Sequence, residues 1–172
     1  MSDRWMDNSV GPMRSGYDTM QVCLNGHRIT STASTAPQFR EDHCSTCGAR
    51  TILACENCKT PIRGFYHTPG VVSLSEPDVP QYCPNCGSAY PWRRAAIENL
   101  QELLRESGLD EHDIDTAEKA LPDVLRDTPK TKSATMRLKR ILTKLQKPAY
   151  ELVIKVISDV ASETAKKVIG LG

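Results

Sequence analysis

The spacing of apolar residues changes character near residue 91. From Tyr17 to Tyr90 they come in short runs, MQVC, HRIT, RTILAC, PIRGFY and PQYC, separated by turns that carry glycine or proline. Such runs predict short strands and knuckles. Two longer polar stretches, STASTAPQFRED and PGVVSLSEPDVP, read as surface excursions between them. Residues 1–16 mix Ser, Gly, Pro, Asn and charge without any period, which predicts a flexible tail.

From Pro91 onward the period is helical. PWRRAAIENLQELLRESG places Ile97, Leu100, Leu103 and Leu104 on one face, opens on proline at the first helical position and stops at Gly108. Residues 110–126 predict a second helix, with Ile114, Ala117, Ala120, Leu121, Val124 and Leu125 apolar and Pro122 expected to end or kink it. A third is expected from Ser133 to Gln146 on Met136, Leu138, Ile141, Leu142 and Leu145. A fourth is expected from Pro148 to Gly170, with a stripe of Tyr150, Val153, Ile154, Ile157, Val160, Ala161, Ala165 and Val168. The organisation is a tail (1–16), a β region (17–90) and an all-α region (91–172), α+β overall.

The β region lacks the material for an ordinary core: aromatics are 5% of the chain and its apolar runs are short. It holds all seven cysteines, in four close pairs: Cys23 with His27 in CLNGH, Cys44 with Cys47 in CSTCG, Cys55 with Cys58 in CENC, and Cys83 with Cys86 in CPNCG. A tight turn puts two such side chains on one ion, and a glycine after the second cysteine, Gly48 or Gly87, tolerates the bend. Eight ligands make two tetrahedral Zn²⁺ sites per chain. Sequential pairing assigns Cys23, His27, Cys44 and Cys47 to one ion and Cys55, Cys58, Cys83 and Cys86 to the other, giving tandem zinc ribbons. An interleaved cross-brace is the alternative, although GARTILA is a long spacer for it. A redox role for Cys55 and Cys58 would leave Cys83 and Cys86 without a site. His43, beside Cys44, competes with His27 for the fourth place in the first site; His67 and His112 lack ligand spacing and are expected to be solvated.

QVCLNGHRIT, CSTCGARTILACENC, IRGFYHTPG and YCPNCGSAYPW together resemble a bacterial family of double zinc-ribbon proteins catalogued as a domain of unknown function. The resemblance covers residues 17–105 and all eight ligands. It implies fold and metal but no activity, and leaves the helical tail outside.

Charge narrows the functional classes. The chain carries a formal net charge of +1, so it has no global attraction for polyanions. Residues 1–90 contain seven basic and eight acidic residues, and seven thiolates offset only partly by two Zn²⁺ make a metal-loaded ribbon more negative still, a poor phosphate binder. The basic residues Lys130, Lys132, Arg137, Lys139, Arg140, Lys144 and Lys147 follow one another with no acid between them and offer the nucleic-acid alternative. The acidic segment 110–127 is expected to neutralise them instead. Trp92 with Arg93 and Arg94 is either a recognition patch or, as preferred, packing that closes the small core. No His-Glu-x-x-His helix, phosphate-cradling glycine loop or spare cysteine is present, so a non-enzymatic docking protein is expected, ahead of a ligase-like scaffold or an open three-cysteine zinc site. Its partner is expected to be a protein, or a second copy bound through residues 148–170. The N-terminus has no apolar run typical of a secretion signal, and a cytoplasmic location is expected.

Overall fold

The structure, a computed structural model, describes residues 15–71 and 75–170. The tail expected over residues 1–16 therefore lies outside the described residues except at its last two positions, and there Gly16 already belongs to a strand. The chain divides into two compact units, Met1–Trp92 and Arg93–Gly172.

In the first unit β1 (Gly16–Thr19) pairs antiparallel with β5 (Arg63–His67), and β2 (Gln21–Cys23) is the centre of a three-stranded antiparallel sheet between β3 (Arg28–Thr30) and β4 (Thr51–Ile52). Strand β1 went unseen in the sequence because GYDT has one hydrophobic residue, and that residue, Tyr17, faces outward against Tyr66 and under the Arg63 guanidinium. Its inward residue is polar. The other runs shorten: RTILAC is extended only at Thr51–Ile52, and PQYC is no strand but a single bridge, Tyr82 to Ala89. The ligand-bearing turns take up the rest.

The stretch from Ser31 to Asp42 runs mostly over the surface, as its polarity predicts, but it is anchored at its start. Its Ala33 is fully buried, and the Asp18 carboxylate, whose side chain is wholly enclosed, accepts from Thr19 N (2.6 Å), Ser34 N (2.8 Å), Thr35 N (3.3 Å) and Thr35 Oγ1 (2.5 Å). His67 Nε2 lies 3.3 Å from the same carboxylate, so His67 is a partner of Asp18 rather than a freely solvated residue. Beside this loop, Gly64 is required by close packing: a Cβ there would sit 2.1 Å from Ser31 O. Met20, Val22, Ile52, Ile62, Tyr90 and Trp92 form the core together with Cys55 and Cys83. Six such side chains at about 1.5–3 kcal/mol each offset only a fraction of the ordering entropy of a unit this long.

The second unit holds α1 from Arg93 on (the helix spans Pro91–Glu106), α2 (Glu111–Val124), α3 (Thr131–Leu142), α4 (Lys147–Val160) and α5 (Glu163–Ile169). Leu100, Leu104, Leu121, Val124, Leu138, Leu142, Val153 and Ile157 close its core. Asp110 caps α2 by accepting from Asp113 N. Pro122 lies inside α2 and the helix runs two residues past it, since a missing N–H so near the C-terminus forfeits only one bond of the last turn. Helix α3 is shorter than its period suggested, and Met136 faces solvent while Thr131 and Thr135 are buried. The two threonines make this possible by bonding backbone oxygens, Thr131 Oγ1 to Arg126 O (2.8 Å) and Thr135 Oγ1 to Thr131 O (2.7 Å).

The single helix expected from Pro148 to Gly170 is two. Ala161 and Ser162 are extended, Ser162 Oγ accepts from Ala165 N as the cap of α5, and Ser162 N donates to Val124 O (3.1 Å). Val153, Ile157, Val160, Ala161 and Ala165 pack into the unit's own core, so most of the apolar stripe that suggested self-association is already covered.

Candidate metal centre

Three of the four ligand turns repeat one backbone frame. In the second, Cys44 N donates to Ala49 O (2.9 Å) and Gly48 N to Cys44 O (2.7 Å); in the third, Cys55 N to Thr60 O and Lys59 N to Cys55 O (both 2.9 Å); in the fourth, Cys83 N to Ser88 O and Gly87 N to Cys83 O (both 2.9 Å). Each is flanked by one bridge, His43–Arg50, Ala54–Pro61 and Tyr82–Ala89. The frame needs a left-handed residue just after the second cysteine, and Gly48 (φ 72°), Lys59 (φ 61°) and Gly87 (φ 70°) supply it. Only Lys59 does so with a side chain. The first turn is built differently, with Cys23 N donating to His27 O (2.9 Å) and Gly26 (φ 90°) passing beneath Trp92.

These turns bring all eight predicted ligands into two groups in chain order, Cys23, His27, Cys44 and Cys47, then Cys55, Cys58, Cys83 and Cys86, with all donor atoms of a group within 4.8 Å of one another. The cross-brace arrangement does not occur. In the first group His27 Nδ1 lies 3.6 Å from Cys23 Sγ, 3.6 Å from Cys44 Sγ and 3.3 Å from Cys47 Sγ, and Cys23 Sγ lies 3.8 Å from Cys47 Sγ. In the second, Cys55 and Cys86 are 3.8 Å apart and Cys58 and Cys83 3.5 Å. Two thiolates about 2.3 Å from a tetrahedral ion stand about 3.8 Å apart, and a thiolate and an imidazole nitrogen about 3.5 Å. The donors fit a tetrahedral metal, and all seven cysteines are free of disulfides. His43 belongs to neither group.

The turns also prepare the sulfurs to be thiolates. The Ala49 N–H, followed by Asn25 and His27, lowers the Cys47 thiol to about 6, and Cys58 is lowered to about 5, first by the Thr60 hydroxyl and then by Asn85. The Ser88 hydroxyl and N–H lower Cys86. Burial raises Cys23 and Cys55. Each group thus pairs an exposed, easily ionised thiol, Cys47 or Cys86, with a buried one whose ionisation burial opposes, Cys23 or Cys55. The Cys47 and Cys44 sulfurs raise the pKa of His27.

Aromatic residues close the unit beneath the sites. Tyr90 and Trp92 stack with centroids 4.8 Å apart, and Trp92 Nε1 donates to Pro80 O (3.0 Å). Burial, then the Cys83 sulfur, raises the pKa of Tyr90 and keeps it a neutral phenol. In the second unit Arg93 is buried with its guanidinium on Leu125 O (2.7 Å). Neither Trp92 nor Arg93 is a surface recognition residue. A cleft of about 540 Å³ in the first unit is lined by Arg28, Phe39, Phe65, His67 and Glu76 and by none of the eight ligands. Its polar groups are engaged: Glu76 accepts from Ser31 Oγ (2.9 Å) and faces Arg28, and His67 faces Asp18.

Sequence reasoning missed the roles of Asp18, Thr60 and Ser88. The last two had a signal, a hydroxyl two residues after the second cysteine; Asp18 had none, because its partners lie up to forty-nine residues away.

No helix among the described residues is long and apolar enough to cross a membrane. No match appears among curated proteins or solved structures. The family described as "Uncharacterized protein conserved in bacteria (DUF2321)" matches residues 16–169, reaching through the helices that the sequence resemblance left out. With ligand turns and helices inside one matched span, the chain belongs to this bacterial family of uncharacterised proteins.

Proposed function

We propose that the chain is a non-enzymatic, cytoplasmic docking protein whose first unit is a pair of zinc ribbons, each held by a structural Zn²⁺, and whose helices serve partner binding. The observation that carries this reading is that each group supplies four protein donors at tetrahedral separations. A catalytic zinc keeps a position for water or substrate; four protein ligands leave none. The thiolate-rich donor sets suit zinc among the common divalent ions. Bound metal would supply folding energy on the order of 10 kcal/mol, which the small core of this unit requires.

Cobalt substitution tests the closed sites. Full-length protein reconstituted with two Co²⁺ should show the intense visible bands of tetrahedral cobalt thiolate, unchanged by azide or imidazole. A spectrum that shifts with added ligand would reveal an open position at one site and return the protein to the enzymatic classes.

A further inference from the structure

The basic run and the acidic segment neutralise one another only in part. Of the seven cations, Lys144 reaches Asp113 (2.5 Å), Lys147 approaches its own helix neighbour Glu151, and Lys139 donates to Val168 O (3.4 Å) and Ile169 O (3.2 Å) at the end of α5. The acids are engaged elsewhere: Asp115 with Lys119, Glu118 with Arg105, Asp123 with the Thr128 hydroxyl, and Asp127 with Thr164 and Ser162. Among the described residues Lys130, Lys132, Arg137 and Arg140 make no ion pair, and all four are exposed. Helix α3 carries no carboxylate.

Lys132, Met136 and Arg140 stand four residues apart on one face of α3, with Arg137 beside them, so the face is about 12 Å long. Met136 lies at its centre and is 55% exposed. An exposed thioether framed by guanidinium groups has the composition of a protein interface, where methionine and arginine are enriched.

We propose that this face of α3 docks an acidic amphipathic helix of a partner protein, with carboxylates spaced four residues apart on Lys132, Arg137 and Arg140 and an apolar side chain on Met136. This rests on reading the chain as a docking protein and names the surface it uses. A nucleic acid fits the face less well. Duplex DNA presents a charge about every 1.7 Å along its axis and runs far past four cations, the chain's net charge of +1 gives no long-range pull, and a phosphate backbone has no use for a central methionine.

The test uses full-length, zinc-loaded protein and fluorescence anisotropy with three labelled probes. These are a short alanine-based helical peptide with glutamates at four-residue spacing around one leucine, the same residues in scrambled order, and a DNA duplex. The ordered peptide should bind most tightly and salt-sensitively. Arg137→Glu with Arg140→Glu should weaken it about tenfold or more, and Met136→Ser should weaken the peptide about threefold or more while leaving the duplex unchanged. Arg137→Gln provides a milder version, and Lys155→Glu, at an exposed position of α4, should change little. Lack of binding by the ordered peptide, equal binding of the scrambled one, tighter binding of the duplex, or indifference to Met136→Ser would each overturn the proposal. Metal content of the same samples reads the zinc account separately: two ions retained with no peptide binding refutes the surface alone.

Discussion

At the scale of single residues, the first unit depends on a few side chains whose importance comes from what would be left unpaired. Asp18→Ala strips partners from Ser34 N, Thr35 N and the Thr35 hydroxyl in an enclosed site, which predicts a loss of about 3 kcal/mol in urea unfolding. Metal content in native buffer should stay unchanged, because Asp18 touches no ligand; loss of zinc from this variant would contradict the assignment. Lys59 holds the left-handed position that glycine fills in its sister turns, so Lys59→Gly should relieve about 1 kcal/mol of backbone strain, read as slower zinc loss to a chelator. The same assay should find His27→Ala far more sensitive than His43→Ala, since only His27 places a nitrogen among the sulfurs. The eight ligands were legible because ligand pairs are local in sequence. Asp18 was not: a buried carboxylate satisfied from distant segments leaves no local pattern.

At the scale of elements, the repeat of three turns explains why the strands are so short. Each turn fixes its own flanks with one bridge, and little extended chain remains for a ladder. The helices were easier to read, as a period of 3.6 residues survives over three or four turns. Their errors arose where one residue acts against the period. Ser162 lies inside the single helix expected from Pro148 to Gly170 and instead caps α5, so Ser162→Ala should lower the stability of the helical unit by about 1 kcal/mol. The thermal melt followed by helical circular dichroism would show it. Asp127 adds a pH dependence at this same junction. The Thr164 hydroxyl, then Ser162, holds its folded pKa below the usual aspartate value. A depressed folded pKa means the stabilisation is present above the unfolded value and lost as pH falls through the folded one. The helical melt of wild type should therefore weaken between about pH 5 and 3 more steeply than that of Asp127→Asn; parallel profiles would remove Asp127 from the account. Ile157→Asp, at a fully buried position of α4, should unfold the helical unit by more than about 3 kcal/mol rather than dissociate an oligomer.

At the scale of the whole molecule, two units are stabilised by different means. The helical unit closes an aliphatic core of its own, whereas the first unit has a core too small for its length and two groups of four candidate metal donors. Chelation should consequently abolish the near-ultraviolet signal of Trp92, which is buried in the core of the first unit, and leave most helical ellipticity in place. The division was visible in the sequence as a change of hydrophobic period at Pro91. The choice of sequential over interleaved ligands was not, because spacing alone permits both and the placement of the turns in space, which groups the donors in chain order, separates them. Metal analysis of the purified full-length chain bears most directly on the central claim. The account predicts two zinc ions per chain, falling to one when Cys58→Ser and Cys86→Ser are combined, with Cys23, His27, Cys44 and Cys47 keeping the ion that remains. One ion or none in the unaltered chain, or loss of both ions from that double variant, would contradict it.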